Sequence, residues 1–231
     1  MDQRRIRNKL PIAWEGIPFI ATSIVFTSIF FIFHWIFLAI PMTVLSLFIT
    51  YFFRDPERPQ VHDEMAILTP ADGKILSIET LNNGDNRCRD KAIKVSIFMS
   101  LFNAHINRIP IKGTITDLSY HPGKFFSANR DKALLYNEHN IVTLRTNSKT
   151  EIVLVQIAGL IARRISCWIK KGDYVESGQR FGLIRFGSRL EVYLPPDSII
   201  TVKKGEKVKA GQTLIGYISK NEKKKSTNTE K

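Results

Sequence analysis

The chain has 231 residues, 44% of them hydrophobic and 24% charged, with 34 Lys and Arg against 21 Asp and Glu for a formal net charge of +13. This is the composition of a folded protein long enough to bury a sizeable core in one or two domains, and its charge favours a polyanionic partner, either nucleic acid or an anionic bilayer. Only two cysteines occur, Cys88 and Cys167, in no C-x-x-C spacing, which excludes a disulfide framework and a cysteine-based metal site.

A basic start (Arg4, Arg5, Arg7, Lys9) leads into 37 residues, Ile17 to Phe53, without one Asp, Glu, Lys or Arg. The run is too long for the apolar core of a secretory signal and exceeds the roughly 20 residues that one spanning helix needs. The polar break at His34-Trp35 and Pro41 lie near its middle, so the favoured expectation is two tightly connected helices, about Ile17–Phe33 and Trp35–Phe53, forming a membrane hairpin; a single tilted span and a buried core hairpin are the alternatives. Trp14, Trp35 and Tyr51 suit interfacial positions, and basic residues at both ends (Arg54 and Arg58 follow the run) place both on the cytoplasmic side. The apolar run decides for the bilayer and against nucleic acid.

After Arg54 the texture changes to short runs rich in Ile, Val, Leu and Phe, punctuated by Gly, Pro and Asn: AILTP, KILSIETL, AIKVSIFMSLF, GTITDLSY, NIVTLRT, EIVLVQIAGLIARRI, RFGLIRFG, LEVYLP and TLIGYIS all read as strands. A helical stretch is expected over Ser127–Leu135. One internal repeat stands out: KKGDYVESGQRFGLI from Lys170 and KKGEKVKAGQTLIGYI from Lys203 share K-K-G-x-x-V-x-x-G-Q at an offset of 33 residues. The matched glycines mark turns with positive φ or close backbone approach, and the valine between them is the inward strand residue. Lipoyl and biotinyl carrier modules use the same punctuation. The expected fold is mainly β: a barrel-sandwich hybrid-like soluble domain with an N-terminal helical membrane hairpin. Domain boundaries fall at 1–53, 54–219 and a basic tail at 220–231.

Five blocks in order, FFRDPER (from Phe52), TPADGKI (from Thr69), FMSLFNAHINRIPIKG (from Phe98), YHPGKFFSANRDKALLYNEHN (from Tyr120) and GLIARRISCWIKKGDYVESGQRFGLIRFGSRLEVYLP (from Gly159), resemble the phosphatidylserine decarboxylases, specifically the short (archaeal-type) subfamily. The resemblance runs from about Phe52 to Ser219. It departs from the family pattern after Gly-Ser-Arg, where Leu190-Glu191 replaces Val-Asp.

The resemblance implies a proenzyme that cuts itself before a serine, here at Gly187-Ser188, into a β chain of residues 1–187 and an α chain of residues 188–231, which stay together as a heterodimer. Ser188 would become a covalent pyruvoyl group, with no metal required. The chemistry explains the residue types. A serine hydroxyl needs a base before it becomes a good nucleophile; Ser188 Oγ then attacks the carbonyl that Gly187 leaves accessible, and elimination and hydrolysis convert the serine to pyruvoyl with loss of ammonia. The resemblance assigns the base to His105 and the carboxylate that fixes its tautomer to Asp72, in the manner of a serine-protease triad. His121, His139, His62 and His34 are rivals outside the matching place. The pyruvoyl at 188 would then form a Schiff base with the amine of phosphatidylserine, releasing CO₂ and phosphatidylethanolamine. Arg108, Lys124, Arg130 and Lys132 are candidates for the headgroup. The implied setting is the cell membrane with the catalytic domain on the cytoplasmic side; assembly into homo-oligomers stays open. Two other readings remain: decarboxylation of an ether-linked (archaetidyl) serine lipid, which presents the same headgroup, and a membrane-anchored carrier or adaptor module without activity.

Overall fold

The computed structural model describes residues 1–59, 63–82, 91–123, 137–159, 164–185 and 188–219. The expected helix at Ser127–Leu135 and the basic tail lie outside these residues.

A short helix α1 (Gln3–Ile6) and a 3-10 turn (Trp14–Gly16) precede the apolar hairpin, α2 (Ile17–Ile32) and α3 (Ile36–Phe52). Pro18 sits in the first turn of α2, where its missing amide costs nothing. The chain reverses at His34, which takes a left-handed φ of 56°; the break falls at the expected polar pair, whereas Pro41 is accommodated inside α3. Small and hydroxylic residues make the inner face: Ser23, Ala39 and Ser46 are buried, and Thr27 Oγ1 meets Ser46 Oγ at 3.2 Å across the hairpin, a pattern suited to helix packing in lipid. The outer face bares Ile32, Leu47 and, at 89% exposure, Phe37. Residues Trp14–Ile32 form a helical segment long and apolar enough, by length and composition, to cross a membrane, and an exposed apolar surface of this extent marks an interaction site of the kind a bilayer fills.

The remainder is mainly β, as expected. In chain order the strands are β1 (Ala66–Leu68), β2 (Gly73–Leu81), β3 (Ala92–Met99), β4 (Ile106–Arg108), β5 (Gly113–His121), β6 (His139–Thr146), β7 (Glu151–Ile157), β8 (Ile165–Cys167), β9 (Tyr174–Val175), β10 (Arg180–Ile184), β11 (Ser188–Leu194), β12 (Ile199–Ile200), β13 (Lys207–Val208) and β14 (Leu214–Tyr217). An eight-stranded antiparallel sheet runs β13-β2-β3-β11-β7-β6-β5-β9, and two three-stranded sheets run β1-β14-β12 and β4-β10-β8. The core between them is filled by Ile67, Ile75, Ile97, Ile115, Leu154, Phe181, Leu190 and Val192.

The two small sheets are copies of one unit. In β1–β14 the partners are Ala66↔Tyr217, Ile67↔Gly216 and Leu68↔Leu214; in β4–β10 they are Ile106↔Leu183, Asn107↔Gly182 and Arg108↔Arg180, with the register slipping at the same step. The loop amides follow suit. Gly172 and Gly205 donate to the carbonyls of Ile115 and Ile75, and Gly178 and Gly211 to those of Ile109 and Thr69. All four glycines have positive φ, between 68° and 90°, so the recurring K-K-G-x-x-V-x-x-G-Q encodes two identical turn pairs. Its valines, Val175 and Val208, are both buried and face Gly113 and Gly73. The copies are joined reciprocally: Leu68 donates to the Pro110 carbonyl and Arg108 to that of Pro70, each at 2.8–2.9 Å. The duplication therefore extends upstream, with Thr69-Pro-Ala-Asp-Gly-Lys-Ile75 equivalent to Ile109-Pro-Ile-Lys-Gly-Thr-Ile115.

Candidate active site

The segment Arg54-Asp55-Pro56-Glu57-Arg58, where the hairpin ends, fastens it to the β domain. Arg54 Nη2 and Tyr51 Oη donate to the Phe102 carbonyl at 2.7 and 3.2 Å. Asp55, 2% exposed, accepts from Arg180 Nε at 2.8 Å and Asn8 Nδ2 at 3.0 Å. Glu57 takes the other side of the Arg180 fork at 2.8 Å. Arg58 reaches Asp72 at 2.9 Å and Gln212 Oε1 at 2.6 Å. The charged residues of the FFRDPER block thus act as a clasp, which its spacing alone did not reveal.

Ser188 opens β11, the strand between β3 and β7, with its backbone opposite Met99. Phe186 and Gly187 lie outside the described residues. Two chain crossings pass here from the large sheet to the second small sheet: residues 100–105 run from β3 to β4, and residues 185–187 join β10 to β11. Ile184, the last residue of β10, donates its amide to the His105 carbonyl at 3.4 Å. His105 is thereby fixed beside the strand end that leads to the Gly187-Ser188 bond.

The His105 side chain is fully buried (0% exposed). Its ring lies on Phe52 of α3, centroids 4.1 Å apart, and neither ring nitrogen has a hydrogen-bond partner among the described residues. Burial pulls its pKa down to about 4; the nearby Asn103 backbone opposes this without reaching hydrogen-bond geometry, and the Arg54 charge adds to it. The imidazole is consequently neutral near pH 7, with a lone pair available to a proton.

Asp72 is 8% exposed and differs from the expectation in its partners. Its Oδ1 accepts the Ala210 amide at 2.7 Å, and Arg58 Nη2 spans both oxygens at 3.3 and 2.9 Å. The expected Asp72–His105 hydrogen bond is not formed, because the carboxylate is already taken by the clasp and by the turn of the second repeat. Arg108, 5% exposed, gives Nη1 to the Gly178 carbonyl and Nη2 to that of Pro56, both at 2.9 Å. Burial chiefly, with Arg180 and Arg58 against the pull of Asp55, lowers its pKa to about 10. Its fork is spent on the frame, which leaves little of it for a headgroup. Lys124, Arg130, Lys132 and His62 lie outside the described residues. His121 and His139 stack on each other at 4.7 Å on adjacent strands, and His34 is at the hairpin turn.

Two buried polar networks were not legible as networks in the sequence, although Arg189, next to the serine, is open there to a structural role. Arg189 pairs with Glu191 at 2.8 Å and donates to Ser96 Oγ at 2.8 Å, while Tyr193 Oη donates to Glu191 at 2.9 Å; they pin the strand that begins at Ser188. Gln156 links Asn140 and Asn107 at 2.9 and 2.8 Å. The signal for both was a polar residue in an otherwise apolar strand, as in EIVLVQI and LEVYL.

Comparison with known proteins agrees with this geometry. The profile of the phosphatidylserine decarboxylase family matches residues 45–216. The phosphatidylserine decarboxylase proenzyme of Desulfotalea psychrophila is 45% identical over 213 residues, covering 92% of this chain and 99% of the relative. That of Syntrophus aciditrophicus is 48% identical over 207 residues, covering 89% and 96%; that of Geotalea uraniireducens is 44% identical over 214 residues, covering 92% and 100%. With about three quarters of its residues inside the family profile (172 of 231), the chain belongs to the phosphatidylserine decarboxylase family.

Proposed function

We propose that this protein is a membrane-associated decarboxylase that converts phosphatidylserine to phosphatidylethanolamine and CO₂ after cutting itself between Gly187 and Ser188. The observation that carries the reading is the buried imidazole of His105, which has no hydrogen-bond partner among the described residues, beside the strand end that leads to Ser188. Two orphaned ring nitrogens in a closed site fit a reactive group that forms from the neighbouring segment.

Before cleavage, neutral His105 takes the proton from Ser188 Oγ, which attacks the Gly187 carbonyl and displaces the peptide nitrogen to leave an ester. Loss of the residue 188 α-proton then breaks the Cβ–Oγ bond and frees the Gly187 carboxylate, and water replaces the residue 188 nitrogen, which departs as ammonia. The two chains, residues 1–187 and 188–231, stay paired because β11 keeps its ladders to β3 and β7 on either side. The Arg189–Glu191–Tyr193 network holds the new chain start in place. The pyruvoyl group at 188 supplies an electrophilic carbonyl and a sink for the electron pair that CO₂ leaves behind. His105 then gives its ring N–H proton to the carbon that lost CO₂ and is reprotonated by water. Asp72 serves as a positioning residue, acting through Arg58 and the Ala210 amide. The hairpin holds the site at the bilayer surface, on the cytoplasmic side by the positive-inside rule.

The test is an intact-mass spectrum of protein extracted in detergent. The expected result is two chains split at Gly187-Ser188, the shorter one blocked to Edman degradation and lighter by one NH₃ than a chain that begins with serine. Ser188→Ala is expected to stay a single chain of 26.4 kDa and to release no CO₂ from phosphatidylserine. A wild-type chain that stays uncut in lipid would overturn the reading.

A further inference from the structure

A line of rings at the base of the hairpin joins His105 to one cation. His105 lies on Phe52 at 4.1 Å, Phe52 meets Phe53 edge-on at 5.0 Å, and Phe53 stacks on Phe19 of α2 at 5.6 Å. The guanidinium of Arg185 covers the other end, 5.6 Å from the Phe19 ring centroid. Arg185 directly follows β10, one residue after the amide that meets the His105 carbonyl and three residues before Ser188. His105, the approach to residue 188 and Arg185 thus border one aromatic floor built by the membrane hairpin.

Unlike its neighbours, this arginine is not spent on the frame. Arg58, Arg108, Arg180 and Arg189 each give donors to carboxylates, carbonyls or side-chain oxygens. Arg185 Nε is buried with no partner among the described residues, and none of their carboxylates forms an ion pair with its guanidinium. Burial lowers its pKa, Glu15 acts against this from a distance, and Arg164 adds to it; Glu15 itself is bonded to Arg5 and Trp168 at 2.8 and 3.0 Å. Arg164 is exposed and its carbonyl accepts the Arg185 amide at 3.4 Å. Two positive charges without an ion-pair partner among the described residues, one of them on a planar fork over an apolar floor, suit a phosphate.

We propose that Arg185, supported by Arg164, binds the phosphodiester of the lipid headgroup while the serine end reaches residue 188. This rests on the decarboxylase reading above. In a serine glycerophospholipid only an oxygen and a methylene separate the phosphorus from the α-carbon, so the phosphate has to sit close to the reacting carbonyl. Arg185 stands three positions before Ser188, so their Cα atoms lie within about 11 Å of each other, which keeps the fork within reach of that carbonyl. Phe19, half exposed on the membrane helix, borders the side on which the lipid's glycerol and acyl chains would enter.

The test compares cleaved wild-type protein with Arg185→Gln and Arg185→Lys in mixed micelles, on phosphatidylserine and on an O-alkyl serine ether that keeps the amine and carboxylate but lacks phosphate. Arg185→Gln is expected to raise KM for phosphatidylserine about 10- to 100-fold, the range for losing a hydrogen bond to a charged group, and to lower the preference for the phosphate-bearing substrate by the same factor. Arg185→Lys should recover part of it. On the wild type, glycerophosphoserine should compete strongly, inorganic phosphate weakly, and chloride at equal ionic strength not at all. An unchanged preference, or an equal loss on both substrates, overturns the assignment; so does equal competition by inorganic phosphate, which would make this a free-phosphate site. If Arg185→Gln does not cleave, the wild-type competition decides, and its absence overturns the proposal. A wild type that neither cleaves nor releases CO₂ refutes the decarboxylase itself and takes this inference with it.

Discussion

The two small sheets share one backbone plan and carry opposite chemistry. In the second, Ile184 donates to the carbonyl of His105; in the first, Ile218 donates at 3.1 Å to that of Met65. The first holds Asp72 in its Pro-x-x-Gly turn, buried and bonded to Arg58 and Ala210. The second holds Lys112 at the equivalent place, paired with Glu64 at the surface. Each copy therefore contributes one of the two candidate residues, His105 or Asp72, and an inert residue at the other position. Only after the second copy does the chain run directly into the strand headed by Ser188. A duplicated frame supplies rigidity, and the site arises where the two copies have diverged.

Breaking that divergence on the reactive side should have the largest effect. His105→Gln is expected to slow self-cleavage at least a hundredfold, the usual minimum for losing a general base. Its counterpart Met65→Leu should cleave within about twofold of wild type, because volume-conserving apolar swaps perturb little. A time course of chain appearance during cell-free synthesis measures both. Equal rates for the two variants would sink the assignment of His105.

The turn residues offer the next contrast. Asp72→Asn leaves the Arg58 charge largely buried without its counter-ion and is expected to cost about 3 kcal/mol in denaturant unfolding of the uncleaved Ser188→Ala protein. Lys112→Ala, at the exposed equivalent, should leave the midpoint in place.

Acid should separate the two copies by a similar amount. The folded pKa of His105, about 4, lies below its unfolded value of about 6.5. The native state therefore binds fewer protons between these values. Stability is fully present above about pH 6.5 and is lost as pH falls towards 4, by up to about 3 kcal/mol. His105→Gln in the Ser188→Ala background should flatten this part of the pH profile, whereas Met65→Leu should leave it as it was.

The smallest effects should be the most alike. Gly172→Ala and Gly205→Ala each force a side chain into a left-handed turn, at φ of 87° and 90°, and are expected to cost about 1–2 kcal/mol apiece. Matching shifts in thermal midpoint would confirm that the turns are equivalent; a clear difference would show that the copies are not interchangeable even as scaffold.

The sequence by itself determined the features written in local patterns. An uncharged run of 37 residues broken at His34 specified a hairpin of apolar helices. The recurring K-K-G-x-x-V-x-x-G-Q specified paired turns, because positive φ admits little besides glycine. The ordered blocks around Gly187-Ser188 specified the family. What tertiary structure decided depends on which distant groups meet. The upstream half of the duplication was illegible, since 69–75 and 109–115 share only Pro, Gly and Ile; the backbone hydrogen bonds carry the equivalence, and these are indifferent to side chains. The partner of Asp72 was illegible for the same reason: a carboxylate in a turn takes whichever donors the fold delivers, and here the clasp and the Ala210 amide reach it before an imidazole can. Arg108 and Arg185 look alike as letters. Burial among carbonyls commits the first to the frame, while the second, at the foot of the apolar hairpin, keeps its Nε without a partner among the described residues, which is what the proposed phosphate site rests on.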